Sequence, residues 1–180
     1  TTNKLVYAIG DIVEGSRFTH AASYHAGIVL KKILLGLPSK LRTDHIPQVI
    51  YTDPEIASVG MNFEDAVKRF GKKVERSCVK LKTNDRAITD SKTEGFIEVL
   101  LLGRKVIGCS ITSKNAGELI SFWAFVIAKN IKISNINAMV PPYPTLGEVN
   151  KRVVSEYYAP KIFSNKLLKY YVGITQKFFK

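Results

Sequence analysis

Phe96-Ile97-Glu98-Val99-Leu100-Leu101-Leu102-Gly103-Arg104-Lys105-Val106-Ile107-Gly108-Cys109-Ser110-Ile111-Thr112 is the stretch that decides the fold. Two apolar, β-branched-rich runs flank the turn Gly103-Arg104, which reads as an antiparallel hairpin. On its N-terminal side, Val74 to Leu81 alternates like a third strand. Further upstream, Val49-Ile50-Tyr51 and Ile56 to Gly60 read as short strands around the turn Asp53-Pro54. Between them Asn62 caps an amphipathic helix, Phe63 to Phe70, with Glu64 and Asp65 in its first turn and Gly71 as its stop.

Downstream of the hairpin, Asn115 precedes a long apolar helix, Ala116 to Lys129, with Glu118 placed for a capping box. Ser134 to Ala138 is a short helical piece. Pro141-Pro142 breaks the chain, Pro144 starts a helix over Thr145 to Tyr158, and Pro160 ends it. The expectation is an α+β domain, an antiparallel sheet with flanking helices, over residues 45–158.

The N-terminal 44 residues have a different character. Leu5-Val6-Tyr7-Ala8-Ile9 reads as an apolar strand closed by Gly10-Asp11. A carboxylate there stands at the carboxyl end of a buried strand, where open α/β sheets hold ligands. The strand has no upstream sheet to pair with. After a polar loop, Thr19 is expected to cap a helix running to Leu35-Gly36. Free N–H groups at that helix start can hold an electron-rich oxygen. Asp11 is thus either a ligand acceptor or a turn aspartate satisfied by its own loop. Pro38 to His45 reads as a linker, and 1–44 as a strand-loop-helix remnant of another domain.

Composition narrows the function classes. The chain has 180 residues, 46 % hydrophobic and 23 % charged, which is the balance of a globular protein. No apolar run approaches the roughly 18 residues of a membrane-spanning helix. The net charge of +12 suits an anionic partner or a lysine-covered surface. No helix-turn-helix, zinc-finger or RNA-binding pattern accompanies it, so nucleic acid is not expected. Cys78 and Cys109 match neither a CxxC nor a zinc pattern, and with them a cytoplasmic setting without disulfides is expected. His20 and His25 lack the i, i+4 spacing of a metal pair, so no metal site is expected.

The N-terminal pattern, Thr2 to Asp11 followed by Thr19-His20-Ala21-Ala22, resembles the last flavin-binding segment of the pyridine nucleotide–disulfide oxidoreductases. That family includes glutathione reductase, dihydrolipoamide dehydrogenase and mercuric reductase. The resemblance continues through Ile46-Pro47-Gln48-Val49-Ile50-Tyr51-Thr52-Asp53-Pro54-Glu55-Ile56-Ala57-Ser58-Val59-Gly60, which is similar to the opening of the family's C-terminal dimerisation domain. Arg86-Ala87 and Gly95-Phe96-Ile97 fit its next strands. Ile107-Gly108-Cys109 and Ala116-Gly117-Glu118-Leu119-Ile120 fit the strand and helix after them, and Pro144-Thr145 with Glu148 fits the closing catalytic segment.

The resemblance implies that Asp11 binds the ribitol of FAD, with Gly10 beside it. Backbone at Thr19, His20 and Ala21 would face the flavin ring. It also implies a homodimer through residues 45–158, with Tyr143 and Glu148 as the catalytic pair presented to the other subunit. In the family's disulfide reductases a histidine precedes the Pro-Thr; here it is Tyr143, as in the mercuric-reductase-like group. A tyrosine with a pKa near 10 is no substitute for a histidine as a base near neutrality. The alternative for Tyr143 is an interface aromatic without chemistry. The run through Glu148-Val149-Asn150-Lys151-Arg152 is most similar to that group, yet the C-terminus, Phe178-Phe179-Lys180, lacks the vicinal cysteines of true mercuric reductases.

No GxGxxG loop and no redox cysteine pair occur in the sequence. FAD would therefore be held at one edge only, and NAD(P)H belongs to the complete enzyme. The chain is expected to be a C-terminal fragment, working with a separate N-terminal FAD- and NAD(P)-binding chain. The alternative is a stand-alone homodimerising module without catalysis. The tail, 159–180, interleaves Tyr, Phe, Leu and Ile with lysines. It reads either as a helix docked on its own domain or as a contact with an anionic membrane surface.

Overall fold

A computed structural model describes residues 1–38 and 40–178; Ser39, in the expected linker, and Phe179 and Lys180, in the expected tail, lie outside the described residues. The hairpin forms as read: β4 (Phe96–Leu102) pairs antiparallel with β5 (Lys105–Ser113) across Gly103 and Arg104. With β1 (Gln48–Ile50), β2 (Glu55–Gly60) and β3 (Val74–Lys80) they make one five-stranded sheet of order β1-β2-β5-β4-β3. Every neighbouring pair is antiparallel, which short connections permit.

Register places the apolar sets on one face. Val59 and Val99 both lie opposite Cys109, and Ala57 and Ile97 both lie opposite Ile111. A register shift between Leu100 and Leu101 puts Val106, rather than Ile107, on the same buried side. Met61 N–H donates to the Ile107 carbonyl at this irregularity. A Cβ on Gly108 would lie 2.0 Å from the Met61 carbonyl oxygen, so the close crossing requires glycine there.

Two helices cover that face. α4 (Ala116–Ala128) lies over β2 and β5, and α6 (Glu148–Phe163) over β3 and β4. Leu119, Ile120, Trp123, Val126 and Ile127 of α4 meet Val149, Val153, Val154 and Tyr157 of α6 in one buried core. Full burial of each such side chain is worth about 1.5–3 kcal/mol. The polar atoms inside are paired. Trp123 Nε1 donates to Asn150 Oδ1 at 2.8 Å and joins the two helices; Ser77 Oγ donates to the Val153 carbonyl at 2.8 Å and ties α6 to β3.

α2 (Phe63–Phe70) is capped by Asn62, whose side chain accepts from the Asp65 N–H, and ends at Gly71 as expected. Other local expectations are overturned. Leu5 to Ile9 is not a strand: among the described residues no strand pairs with it, and it runs exposed into a 3₁₀ turn, Gly10–Ile12. α1 (Thr19–Leu35) has Phe18, not Thr19, at its cap position, without a side-chain cap. Glu118 forms no capping box; Glu55 Oε2, reaching over from β2, accepts from the Gly117 N–H at 2.9 Å instead. Arg86-Ala87 lies in the short helix α3 (Asp85–Thr89), not in a strand.

At the C-terminal end, α6 begins at Glu148, three residues later than expected, and carries Pro160 inside it. It therefore runs through the expected boundary at 158 to Phe163. After α5 (Ile133–Ile136), which matches the short helical piece, the remaining element is α7 (Lys166–Phe178). The reading of the tail as a helix docked on its own domain fails: Leu167, Tyr170 and Tyr171 stay exposed, at 80 %, 72 % and 64 %.

Candidate functional site

The residues singled out in the sequence fall into two groups, and among the described residues no hydrogen bond or ion pair joins the groups. The first group surrounds the start of α1. Gly10 is buried, with φ +70, and its missing Cβ would lie 3.2 Å from that of Ala22. Its N–H donates to His25 Nδ1 at 3.3 Å in a buried contact. The loop is thereby fixed against the helix, and Asp11 is presented one residue later.

Asp11 is exposed, and among the described residues its carboxylate has no hydrogen-bond partner. The reading of a turn aspartate satisfied by its own loop does not hold. At the helix start, the Ala21 and Ala22 N–H groups both turn back to the Phe18 carbonyl. Ala21 is fully buried as well, so it offers no free polar group. The unpaired donors of the first turn are those of Thr19 and His20. The His20 ring is tied elsewhere: its Nε2 lies 2.7 Å from the Pro47 carbonyl, and it stacks on Phe18.

The second group is the Pro141–Glu148 segment. The Tyr143-Pro144 peptide is cis, and Thr145 Oγ1 closes the turn by donating to the Pro142 carbonyl at 2.7 Å. Tyr143 is 70 % exposed, and its hydroxyl donates to Asp85 Oδ2 at 3.0 Å. Glu148, the expected partner, accepts instead from the Thr145 N–H, at a long 3.4 Å. The hydrogen bond to Asp85, then the Asp85 charge, burial and the Glu148 charge all hold the Tyr143 phenol above its ordinary pKa. At neutral pH it is a hydroxyl donor and not a base.

Asp85 was missed in the sequence, as was Asn84 beside it. Asn84 is buried; its Oδ1 accepts from the Ala87 N–H at 2.9 Å and its Nδ2 donates to the Thr145 carbonyl at 3.1 Å. One side chain thus caps α3 and holds the Tyr143 segment. Arg152 donates to the Thr83 carbonyl from the other side. Between them is a cleft of about 270 Å³ whose lining includes Thr83, Asp85, Glu148, Lys151 and Arg152. An Asn-Asp pair followed by Arg86-Ala87 is a helix-start signal, and it could have located this support.

Among the described residues no cluster of His, Cys, Asp or Glu could hold a metal ion. Neither cysteine is an activated thiol. Burial, with Glu98 nearby, raises both, Cys109 well above the ordinary range.

Residues 46–154 match the family model described as "Pyridine nucleotide-disulphide oxidoreductase, dimerisation domain". A mercuric reductase of Lysinibacillus sphaericus is 31 % identical over 150 residues, covering 82 % of this chain and 27 % of that protein. A dihydrolipoyl dehydrogenase of Bacillus subtilis is 34 % identical over 148 residues, covering 80 % and 31 %. Among solved structures, the Cu(II) complex of the HOCl-induced flavoprotein disulfide reductase RclA from Escherichia coli superposes with a TM-score of 0.77. At 21 % identity, it covers 86 % of this chain and 35 % of that one. LpdA from Mycobacterium tuberculosis gives 0.76 at 23 %, covering 84 % and 33 %. These structures share the fold. The chain spans 27 % and 31 % of the length of the two curated relatives. With more than half of its residues inside the matched domain, the chain belongs to the pyridine nucleotide-disulphide oxidoreductases.

Proposed function

We propose that this chain supplies the dimerising wall and one edge of the flavin site of an FAD-dependent NAD(P)H oxidoreductase of the mercuric-reductase-like kind. Residues 1–44 are the edge, 45–158 the dimerisation domain and 159–180 an added tail. The observation that carries the reading is Tyr143: an exposed, protonated hydroxyl, steered by Asp85, on the segment that closes the matched domain.

The N-terminal group fits a flavin. Asp11, exposed and unpaired, is a double acceptor for the hydroxyls of a ribityl chain, and Gly10 fixes its loop against α1. The Thr19 and His20 N–H groups add donors at the positive end of α1. Ala21 contributes packing alone. The chemistry a bound flavin supplies is the relay of electrons from NAD(P)H to an acceptor. Tyr143 gives its one hydroxyl proton to Asp85, so its phenol oxygen orients the acceptor by receiving a hydrogen bond, and Glu148 holds the Thr145 turn beneath it. The dimer is a two-fold pair through 45–158, in which Val140 and Phe125, 90 % and 55 % exposed, are apolar side chains for a partner to cover. The free cysteines suit a cytoplasmic setting.

Two measurements test this. Sedimentation at micromolar concentration should give twice the 20.1 kDa chain mass; a monomer alone would remove the dimer. The chain mixed with FAD should show little bound flavin. With a polypeptide carrying the Gly-rich FAD and NAD(P) loops and redox cysteines of a relative, it should show a flavin spectrum and NAD(P)H oxidation. A dimer without either leaves a stand-alone dimerising module and sinks the oxidoreductase reading.

A further inference from the structure

We propose that α7 lays its apolar face on an anionic lipid surface. The helix is two-sided by its spacing. Leu167, Tyr171 and Ile174, at i, i+4 and i+7, form one stripe; Lys166, Lys169 and Lys177, at i, i+3 and i+11, form the other with Gly173 between them. Leu168 and Val172 widen the apolar side, and all of these large side chains are exposed.

Three observations select lipid as the occupant. First, from Tyr157 to Lys180 the sequence has no Asp or Glu and five lysines, so the whole end of the chain is a cation. Such a helix, with lysines on its polar face and aromatics on the other, sits in the plane of an anionic headgroup layer. Second, α7 does not cross a bilayer. Its 13 residues span about 20 Å, against roughly 30 Å of hydrocarbon, and no described helix is long and apolar enough.

Third, the domain holds the base of the helix away from its own core. Tyr157 donates to Glu75 Oε1 at 3.0 Å, and Lys161 pairs with Glu75 and lies 3.7 Å over the Tyr157 ring. This clamp carries α6 past Pro160, so the chain leaves the sheet at Phe163, itself 72 % exposed. Tyr170 and Tyr171 supply rings of the kind that settle at the headgroup level.

The test is flotation of the full chain with vesicles of phosphatidylcholine alone or with about 30 % phosphatidylglycerol. Binding is expected with the anionic vesicles, little with the neutral ones, and it should weaken as salt rises. Replacing Lys166, Lys169 and Lys177 together by Gln should weaken it on the order of a hundredfold, at roughly fivefold per lysine. All three are exposed, so folding is not at stake. In a Tyr171→Trp variant, emission should shift to the blue with anionic vesicles, against the constant signal of buried Trp123. Equal partition into neutral vesicles, no partition at all, or an unshifted Tyr171→Trp emission overturns the proposal. A Leu167→Ser/Ile174→Ser variant that loses oligomer mass but keeps vesicle binding also overturns it, assigning the stripe to a second copy of the chain.

Discussion

Two apolar helices in this chain meet opposite fates. α4 puts Leu119, Ile120, Trp123, Val126 and Ile127 into the core. α1 is longer and also carries an apolar run, Ile28 to Leu30 and Ile33 to Leu35, yet it buries only Ala21 and His25 and leaves Leu34 and Leu35 exposed at 73 % and 65 %. The difference is a partner. α4 meets a sheet whose register gathers Ala57, Val59, Ile97, Val99, Cys109 and Ile111 onto one face; α1 has a 3₁₀ turn beneath it and little else. An apolar helix says that a surface is covered, and not by which chain. The same contrast separates the matched domain from the two ends, and it points to where other molecules bind.

The largest effect expected from that comparison is at Trp123. Trp123→Ala empties the center of the α4–α6 contact and leaves the buried Asn150 amide without its donor. It should cost about 3–5 kcal/mol in urea unfolding. Leu34→Ser in α1 should change stability by less than about 0.5 kcal/mol. If the two cost the same, α1 is packed in solution and the contrast is false.

The next effect is on the support of the Tyr143 segment. Asn84→Ala removes a buried cap of α3 and the bond to the Thr145 carbonyl together, and about 2 kcal/mol should be lost. The exposed cap Asn62 makes the local comparison, since Asn62→Ala removes the bond to the Asp65 N–H without burial; about 1 kcal/mol is expected there. Equal losses would mean that the bridge to Thr145 carries nothing.

The sheet was legible because each of its strands has its pairing partner within the same 113-residue neighbourhood of sequence signals, 46 to 158. Gly95, Gly103, Asn62 and Gly71 punctuate it where turns and caps need them. The failures share one cause: they concern what a local pattern is opposed by. Leu5 to Ile9 has a strand's composition and no strand beside it. Glu118 has the capping-box spacing, but Asn115 at the cap is left-handed and makes no side-chain cap, and Glu55 from another element accepts from the Gly117 N–H. Pro160 should stop a helix, yet Glu75 from β3 holds both Tyr157, three residues before it, and Lys161, the residue after it. At the site, Tyr143 and Glu148 were placed on one segment, but the partner that sets the hydroxyl, Asp85, is 58 residues away. Spacing along the chain cannot carry that pairing.

A smaller effect tests how the linker joins the two regions. Arg42 donates to the Ala128 carbonyl at the end of α4 at 2.9 Å and forks onto Asp44. The hydrogen bond from Arg42 holds the Asp44 carboxyl below its ordinary pKa. A depressed carboxyl stabilises above its unfolded value and loses that contribution as pH falls through the folded one. Amide protection near residue 128, corrected for the intrinsic exchange rate, should therefore fall as pH drops below about 4. In Arg42→Ala that acid step should vanish, with fast exchange already at pH 7.

The smallest effect concerns the hydroxyl on which the functional reading turns. Tyr143 is exposed, so Tyr143→Phe should leave the unfolding midpoint unchanged within error. Its titration should still be visible. Asp85 accepts from the neutral phenol and repels the phenolate, so the folded pKa lies above the ordinary value of about 10. A raised pKa makes this contact fully present below pH 10 and lost as pH rises through the folded value. The ultraviolet difference between the wild type and Tyr143→Phe isolates this one phenol, and Asp85→Asn should move its titration back toward 10. An unmoved curve would mean that Asp85 does not steer the hydroxyl in solution. Tyr143 would then be an exposed aromatic without chemistry, like the exposed Val140 three residues before it.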